Sequence, residues 1–163
     1  MHAWAAAGHG FKSELVFYDE STSANGAGAI SMADYRDKIL EAVVKGWAAA
    51  GGGSTFVLEE DGETFAHGGL SKVNPVQRWK EAAGLRHFFS CGDCPDLSPL
   101  DSLWPPSKQW RTEPLREWDD ESLRRAARAA WHELGQDRIN VWVDFMPQRL
   151  RQVVDSGGKL VPW

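Results

Sequence analysis

An α/β fold is the class this sequence predicts, and three observations predict it. Short apolar stretches with strand character, "SELVFYD", "TFVLEE" and "LRHFFS", alternate with segments that carry helix caps and helical spacing. The chain has 163 residues, enough for one core and short for two, so 1–163 reads as a single domain. Its last part, from about 119 to 163, reads as helix almost throughout.

The elements follow in order. The first segments, "HAWAAA" and "SELVFYD", are extended and joined by the turn-prone "GHGFK"; the glycine-rich "STSANGAGA" is a loop. Ser31 and Asp34 in "SMAD" make a capping-box-like helix start. Behind them Tyr35, Ile39, Ala42, Val43, Gly46 and Trp47 fall on one helical stripe, which "AAAGGGS" stops before the strand "TFVLEE". Asn74 as N-cap, Pro75 at the first helical position and Gly84 as a stop frame the next helix, and "LRHFFS" follows as a buried strand. The proline-rich "CPDLSPLDSLWPPSKQW" is a loop that turns into a helix near Asp101. From Asp119 onward Leu123, Ala126, Ala127, Ala130, Trp131 and Leu134 share an apolar face, with Arg124, Arg125 and Arg128 opposite. "INVWVDFMPQRLRQVVDSGGK" is helical on both sides of Pro147.

Composition excludes some functions. A net charge of −5 argues against general electrostatic affinity for nucleic acid, while leaving room for a local basic patch. No run approaches the roughly 20 apolar residues of a membrane span. The start "MHAWAAAGHG" lacks the basic region and apolar core of a secretion signal, which predicts an intracellular, reducing setting. Cys91 and Cys94 in "CGDC" are then expected as free thiols. Zinc would need two further ligands, from His87 and His67, and a redox dithiol would need a helix where Pro95 opens a loop.

The stretch "FVLEEDGETFAHG" sets Glu59, Glu60, Asp61 and Glu63 almost side by side. Either it is a solvated strand end, or a cation (metal ion, arginine or lysine) sits among the acids. On a strand, Glu59 and Asp61 share one face and Glu60 takes the other. Asp61 ends the strand, where α/β sheets tend to place ligands. Asp101, after a later strand, is the second acid of interest. Two-metal phosphoryl chemistry gathers carboxylates from distant segments around ions about 3.5–4 Å apart. Oxygen ligands of this kind suit Mg²⁺ or Mn²⁺.

"FVLEEDG" with the following "HG", then "NPVQRWKE", "CPDLSPLDSLWPPSKQW", "WDDESL" and "MPQRLRQVVDSGGK" occur in an order that resembles mariner-type transposases and, more narrowly, looks like the catalytic-domain sequences of that superfamily found in fungi. The resemblance implies a ribonuclease H-like mixed sheet flanked by helices, and metal-assisted DNA cleavage and strand transfer in a nuclear setting. It carries Asp61 over as the second catalytic and metal-binding acid and Asp101 as the third, and it places His67 near a motif histidine. The family's first acid, on the first central strand, would lie upstream of "MHAWAAAGHG", so the fold expected of these residues lacks that strand and the helix-turn-helix region that would precede it. Asp19 and Glu20 match a different strand end and are not replacements.

Two expectations follow. Without the first carboxylate the chain is expected to be inactive alone; the alternative is a non-catalytic module that binds DNA or a protein partner. Without the central strand, "HAWAAA" and "TFVLEE" should pair directly and antiparallel, or take a strand from a second copy or another partner. Arg124, Arg125, Arg128 and Arg149 are candidate phosphate contacts, or simply a solvated face. Trp104, Trp110, Trp118, Trp131 and Trp142 suit core packing better than base stacking, and Lys108 suits pairing with an acid.

Overall fold

The computed structural model describes residues 2–18, 30–50, 56–61, 65–68, 73–90, 94, 97–103, 119–159 and 161. These fall into two compact units: Met1–Phe17 with Cys94–Trp163, and Tyr18–Asp93. Helices and short strands are mixed in the chain, in keeping with the α/β expectation.

In the 18–93 unit, Ser31 caps the first helix by accepting from the Asp34 N–H, as the capping pattern predicts. The helix runs over 32–50 in three continuous pieces: α1 (Met32–Asp34), a π-helical segment Tyr35–Val44, and α2 (Lys45–Ala50). The Lys45 N–H bonds back to the Leu40 carbonyl, the i to i−5 spacing of a π-helix. That wider turn moves the buried stripe. Tyr35, Ile39, Leu40 and Val44 are buried, whereas Ala42 and Gly46, expected on the core side from a spacing of 3.6, face outward.

Strand β5 (Val57–Asp61) leads through a 3₁₀ turn (Phe65–His67) into α3 (Pro75–Ala82) and returns as β6 (Arg86–Ser90). The two strands are parallel and paired from Val57↔Arg86 to Asp61↔Ser90, so this is a βαβ unit. Asn74 accepts from the Gln77 N–H and Pro75 stands at the helix start, while Gly84 ends it at φ 63. Burial alternates along β5: Leu58 and Glu60 point inward, Val57, Glu59 and Asp61 outward. By register, Arg86, Phe88 and Ser90 share the outward face with them.

In the other unit, β1 (His2–Trp4) pairs with β4 (Val16–Tyr18), and β2 (Ala7–Gly8) forms a tight antiparallel hairpin with β3 (Phe11–Lys12). Gly10 at φ 67 supplies the left-handed backbone of that turn. Helix α4 (Pro99–Leu103) precedes α5 (Asp120–Glu133), whose N-cap Asp119 accepts from the Ser122 N–H, and α6 (Gln136–Asp155). Their core joins Ala5, Leu15, Leu103, Ala127, Trp131, Leu134 and Ile139, with Trp142 packed against it. The Trp131 indole N–H donates to the Ser13 carbonyl at 2.7 Å. Lys12 Nζ closes the α5 C-terminus by donating to the carbonyls of Trp131, His132 and Leu134 at 3.1, 3.3 and 2.7 Å. The core reading of Trp131 and Trp142 therefore holds; Trp104, Trp110, Trp118 and Lys108 lie outside the described residues.

Helix α6 runs through Pro147, in keeping with the expectation of helix on both sides of it, because the proline removes a single backbone donor and the turns on either side continue. One expectation changes. The strands at 2–4 and 57–61 do not pair directly: among the described residues the strands form three separate two-stranded sheets, and β5 takes β6 as its partner.

Candidate functional site

Asp61 is the last residue of β5, and its side chain is exposed on the face it shares with Glu59. The alternation follows from strand geometry, which sends successive side chains to opposite faces. The neighbouring Glu60 therefore turns into the protein and is only 5% exposed. A buried carboxylate requires partners. Glu60 has two: the Tyr35 hydroxyl donates to Oε1 at 2.7 Å, and Lys80 Nζ binds Oε2 in an ion pair sealed from solvent. Lys80 sits one turn beyond Val76 on the inward face of α3 and is 0% exposed, with its ammonium 5.2 Å from the Phe89 ring centroid. Burial holds the Lys80 pKa below its ordinary value, with the Glu60 hydrogen bond and charge opposing that shift. Of the two readings of the cluster, a cation among the acids holds for Glu60, and that cation is a lysine; Glu59 and Asp61 are exposed.

The backbone around Asp61 is tied from both sides. The Ser90 hydroxyl donates to the Glu60 carbonyl at 3.1 Å, and His67 Nδ1–H donates to the Asp61 carbonyl at 2.8 Å. That bond fixes the His67 tautomer, since a carbonyl can only accept. The His67 ring packs on Tyr35 with centroids 4.5 Å apart. Gly68, at φ 97, lets the chain leave this turn close to the start of α3, where a Cβ would stand 2.4 Å from Asn74 Oδ1. Glu59 reaches solvent, yet the protein around it desolvates its carboxyl and raises its pKa. Glu63 lies outside the described residues.

Asp101 has its backbone in α4, in the other unit; its side chain lies outside the described residues. Among the described residues no group of three or more His, Cys, Asp or Glu side chains surrounds a point that would hold a metal. The donor chemistry at β5 still suits a hard cation. Mg²⁺ commonly binds through one or two carboxylates, with water and phosphate oxygens completing its shell, and Glu59 and Asp61 project from one face.

The basic candidates separate. Arg125 and Arg128 are exposed on α5. Arg124 pairs with Asp120 at 2.8 Å, and the guanidinium carbons of Arg124 and Arg128 lie 5.2 and 4.8 Å from the Phe17 ring centroid. Arg149 is 1% exposed and donates to the Val161 carbonyl, so it holds the C-terminal segment against α6 and presents no charge to a ligand.

Cys94 corrects another expectation: it is disulfide-bonded, not a free thiol. Cys91 lies outside the described residues. A disulfide sulfur offers no thiolate to zinc. His87 is also engaged, with its ring nitrogens 3.2 Å from the Leu85 carbonyl and 3.0 Å from Gln77 Oε1. The Tyr35–Glu60–Lys80 network was not foreseen, although a lysine in register with Val76 on a helix face, beside an inward strand glutamate, signalled it. No helix among the described residues is long and apolar enough to cross a membrane.

No family model matches the chain. It is similar to the Tc1 transposable-element transposase of Caenorhabditis elegans, with 25% identity over 122 residues, 75% of this chain and 42% of that protein. It is also similar to the Tcb1 transposase of Caenorhabditis briggsae, with 24% identity over 124 residues, 76% of this chain and 43% of that protein. The chain spans less than half the length of these curated relatives, and the likeness relates it to transposases of Tc1 type.

Proposed function

We propose that this chain is a transposase-derived DNA-processing domain of the mariner-type, ribonuclease H-like kind, with Asp61 and Asp101 as its metal-binding catalytic acids. The observation that carries the reading is Asp61. In a chain related to transposases, it ends the first strand of a βαβ unit and turns its carboxylate outward, while the adjacent glutamate is neutralised inside. A divalent cation, Mg²⁺ or Mn²⁺, would supply Lewis-acid stabilisation of the attacking and leaving oxygens of a phosphodiester. The chain's own part is to hold Asp61 in one direction at the strand end, with Glu59 beside it, and to meet the DNA backbone with Arg125 and Arg128, which Arg124 flanks. The working site of such an enzyme is nuclear.

Thermal unfolding of the chain with and without Mg²⁺ or Mn²⁺ tests the metal role. A ligand present at about 100 times its Kd raises stability by roughly 2.7 kcal/mol. Asp61→Asn should abolish that gain, and an equal gain in the variant would refute the assignment. The exposed Arg125 and Arg128 favour a second reading, a non-catalytic module that binds DNA or a protein partner. On that reading Asp61→Asn leaves DNA affinity and its salt slope unchanged, whereas Arg125→Glu with Arg128→Glu lowers both.

A further inference from the structure

The hydrogen bonds of this network converge on two consecutive residues at the end of β5, Glu60 and Asp61. Glu60 is held through its side chain by Tyr35 and Lys80 and through its carbonyl by Ser90. Asp61, the next residue, is held through its carbonyl by His67, whose ring leans on Tyr35. Four separate segments thus fix two consecutive residues: the π-helical segment, the 3₁₀ turn, α3 and β6. The last residue of a strand ordinarily frays, because fewer ladder bonds restrain it. Here the strand end is restrained from both sides, while the Asp61 carboxylate itself remains exposed.

Stability alone does not account for the pair inside. Desolvating a carboxylate and an ammonium costs more than their attraction commonly returns, and apolar residues of similar volume would serve a core as well or better. A function that needs a fixed direction accounts for it: a ligand-binding carboxylate gains affinity when its supporting residues remove the freedom it would otherwise lose on binding.

We propose that Tyr35, Glu60, Lys80 and His67 are positioning residues that clamp the backbone at Asp61, so that its carboxylate meets a divalent cation in one orientation. This rests on the reading of Asp61 as a cation-binding acid. Tyr35 acts through Glu60, and His67 acts through the Asp61 carbonyl; neither needs to touch the ion. Supporting residues of this kind shift metal affinity by about 10- to 100-fold when removed.

The test is Mn²⁺ binding to the full 163-residue chain, followed by electron paramagnetic resonance of the free ion, with circular dichroism confirming the fold of each variant. Tyr35→Phe keeps the ring and removes the hydroxyl. His67→Phe keeps a ring on Tyr35 and removes the bond to Asp61. Val76→Ala, which thins the same helix face one turn from Lys80 without removing any hydrogen bond of the network, controls for general loss of packing and stability. Asp61→Asn should lose binding, and both ring variants should weaken it about tenfold, with Val76→Ala unchanged. If the ring variants bind as tightly as the parent while Asp61→Asn does not bind, the positioning role is overturned and the cation reading stands. Equal weakening by Val76→Ala also overturns it. If Asp61→Asn binds normally, both fall.

Discussion

Replacing Lys80 with methionine removes the ammonium paired with Glu60 in the buried network and leaves most of the side-chain volume in place. The magnitude follows from the burial. Lys80 is 0% exposed and Glu60 5%, so water cannot take the lysine's place. The Tyr35 hydroxyl remains, but a single neutral donor does not offset a buried carboxylate. Breaking a buried pair in this way costs about 3–5 kcal/mol. For a chain of this size each kcal/mol moves the melting point by roughly 2–4 °C. The lost contact between the ammonium and the Phe89 ring, 5.2 Å from its centroid, acts in the same direction.

The decisive measurement is the cycle with Glu60→Gln. In the double variant Lys80→Met with Glu60→Gln the buried charge is gone, and Tyr35 can still donate to the amide oxygen. Its stability should return to within about 1 kcal/mol of the parent, because replacing both partners avoids the unpaired charge. Urea unfolding followed by circular dichroism gives the free energies. Amide exchange in β5 and β6 reports the unit that contains the pair. If Lys80→Met costs less than about 1 kcal/mol, or if the two substitutions simply add, Glu60 is not the buried, ionised partner described above.

Two further outcomes follow from the same unit. Gly68→Ala places a methyl group 2.4 Å from Asn74 Oδ1 on a backbone at φ 97; it should destabilise the chain by at least about 1 kcal/mol and expose the α3 start to amide exchange. The Asp34 carboxyl is held below its ordinary value of 3.8, first by the Ser31 hydroxyl and then by Lys38. Because its folded pKa is depressed, it contributes stability that is present above about 3.8 and lost as pH falls through the lower folded value. Asp34→Asn should flatten that portion of the acid-unfolding curve, and an unchanged curve would count against the Ser31 contact.

Much of the fold was legible because local chemistry decided it. Ser31, Asn74 with Pro75, Gly84 and Asp119 mark helix ends by hydrogen-bonding rules that need no tertiary context, and the structure places helix ends there. The outward pair Glu59 and Asp61 followed from strand alternation alone. The shifted stripe of 32–50 was not legible, since no residue type signals that a helix will adopt i to i−5 bonding. Strand partners were misjudged for a different reason. Pairing β5 with β6 is a long-range choice set by the α3 crossover, whereas the expected pairing of 2–4 with 57–61 was argued from a strand thought to be missing.

The acids of 59–63 show why a charge cluster is a poor unit of inference. Their crowding suggested one shared electrostatic purpose, and the backbone divides them instead. Glu60 is engaged by Lys80 and Tyr35 inside the protein, while Glu59 and Asp61 are exposed on the opposite face. The raised pKa of Glu59 means that the outward face is itself partly desolvated, so a cation there would neutralise a charge that water solvates incompletely. The inward lysine and a metal are therefore not competing explanations of the cluster. A glutamate neutralised from within keeps the strand end rigid, and rigidity at that position is what an outward carboxylate needs in order to bind.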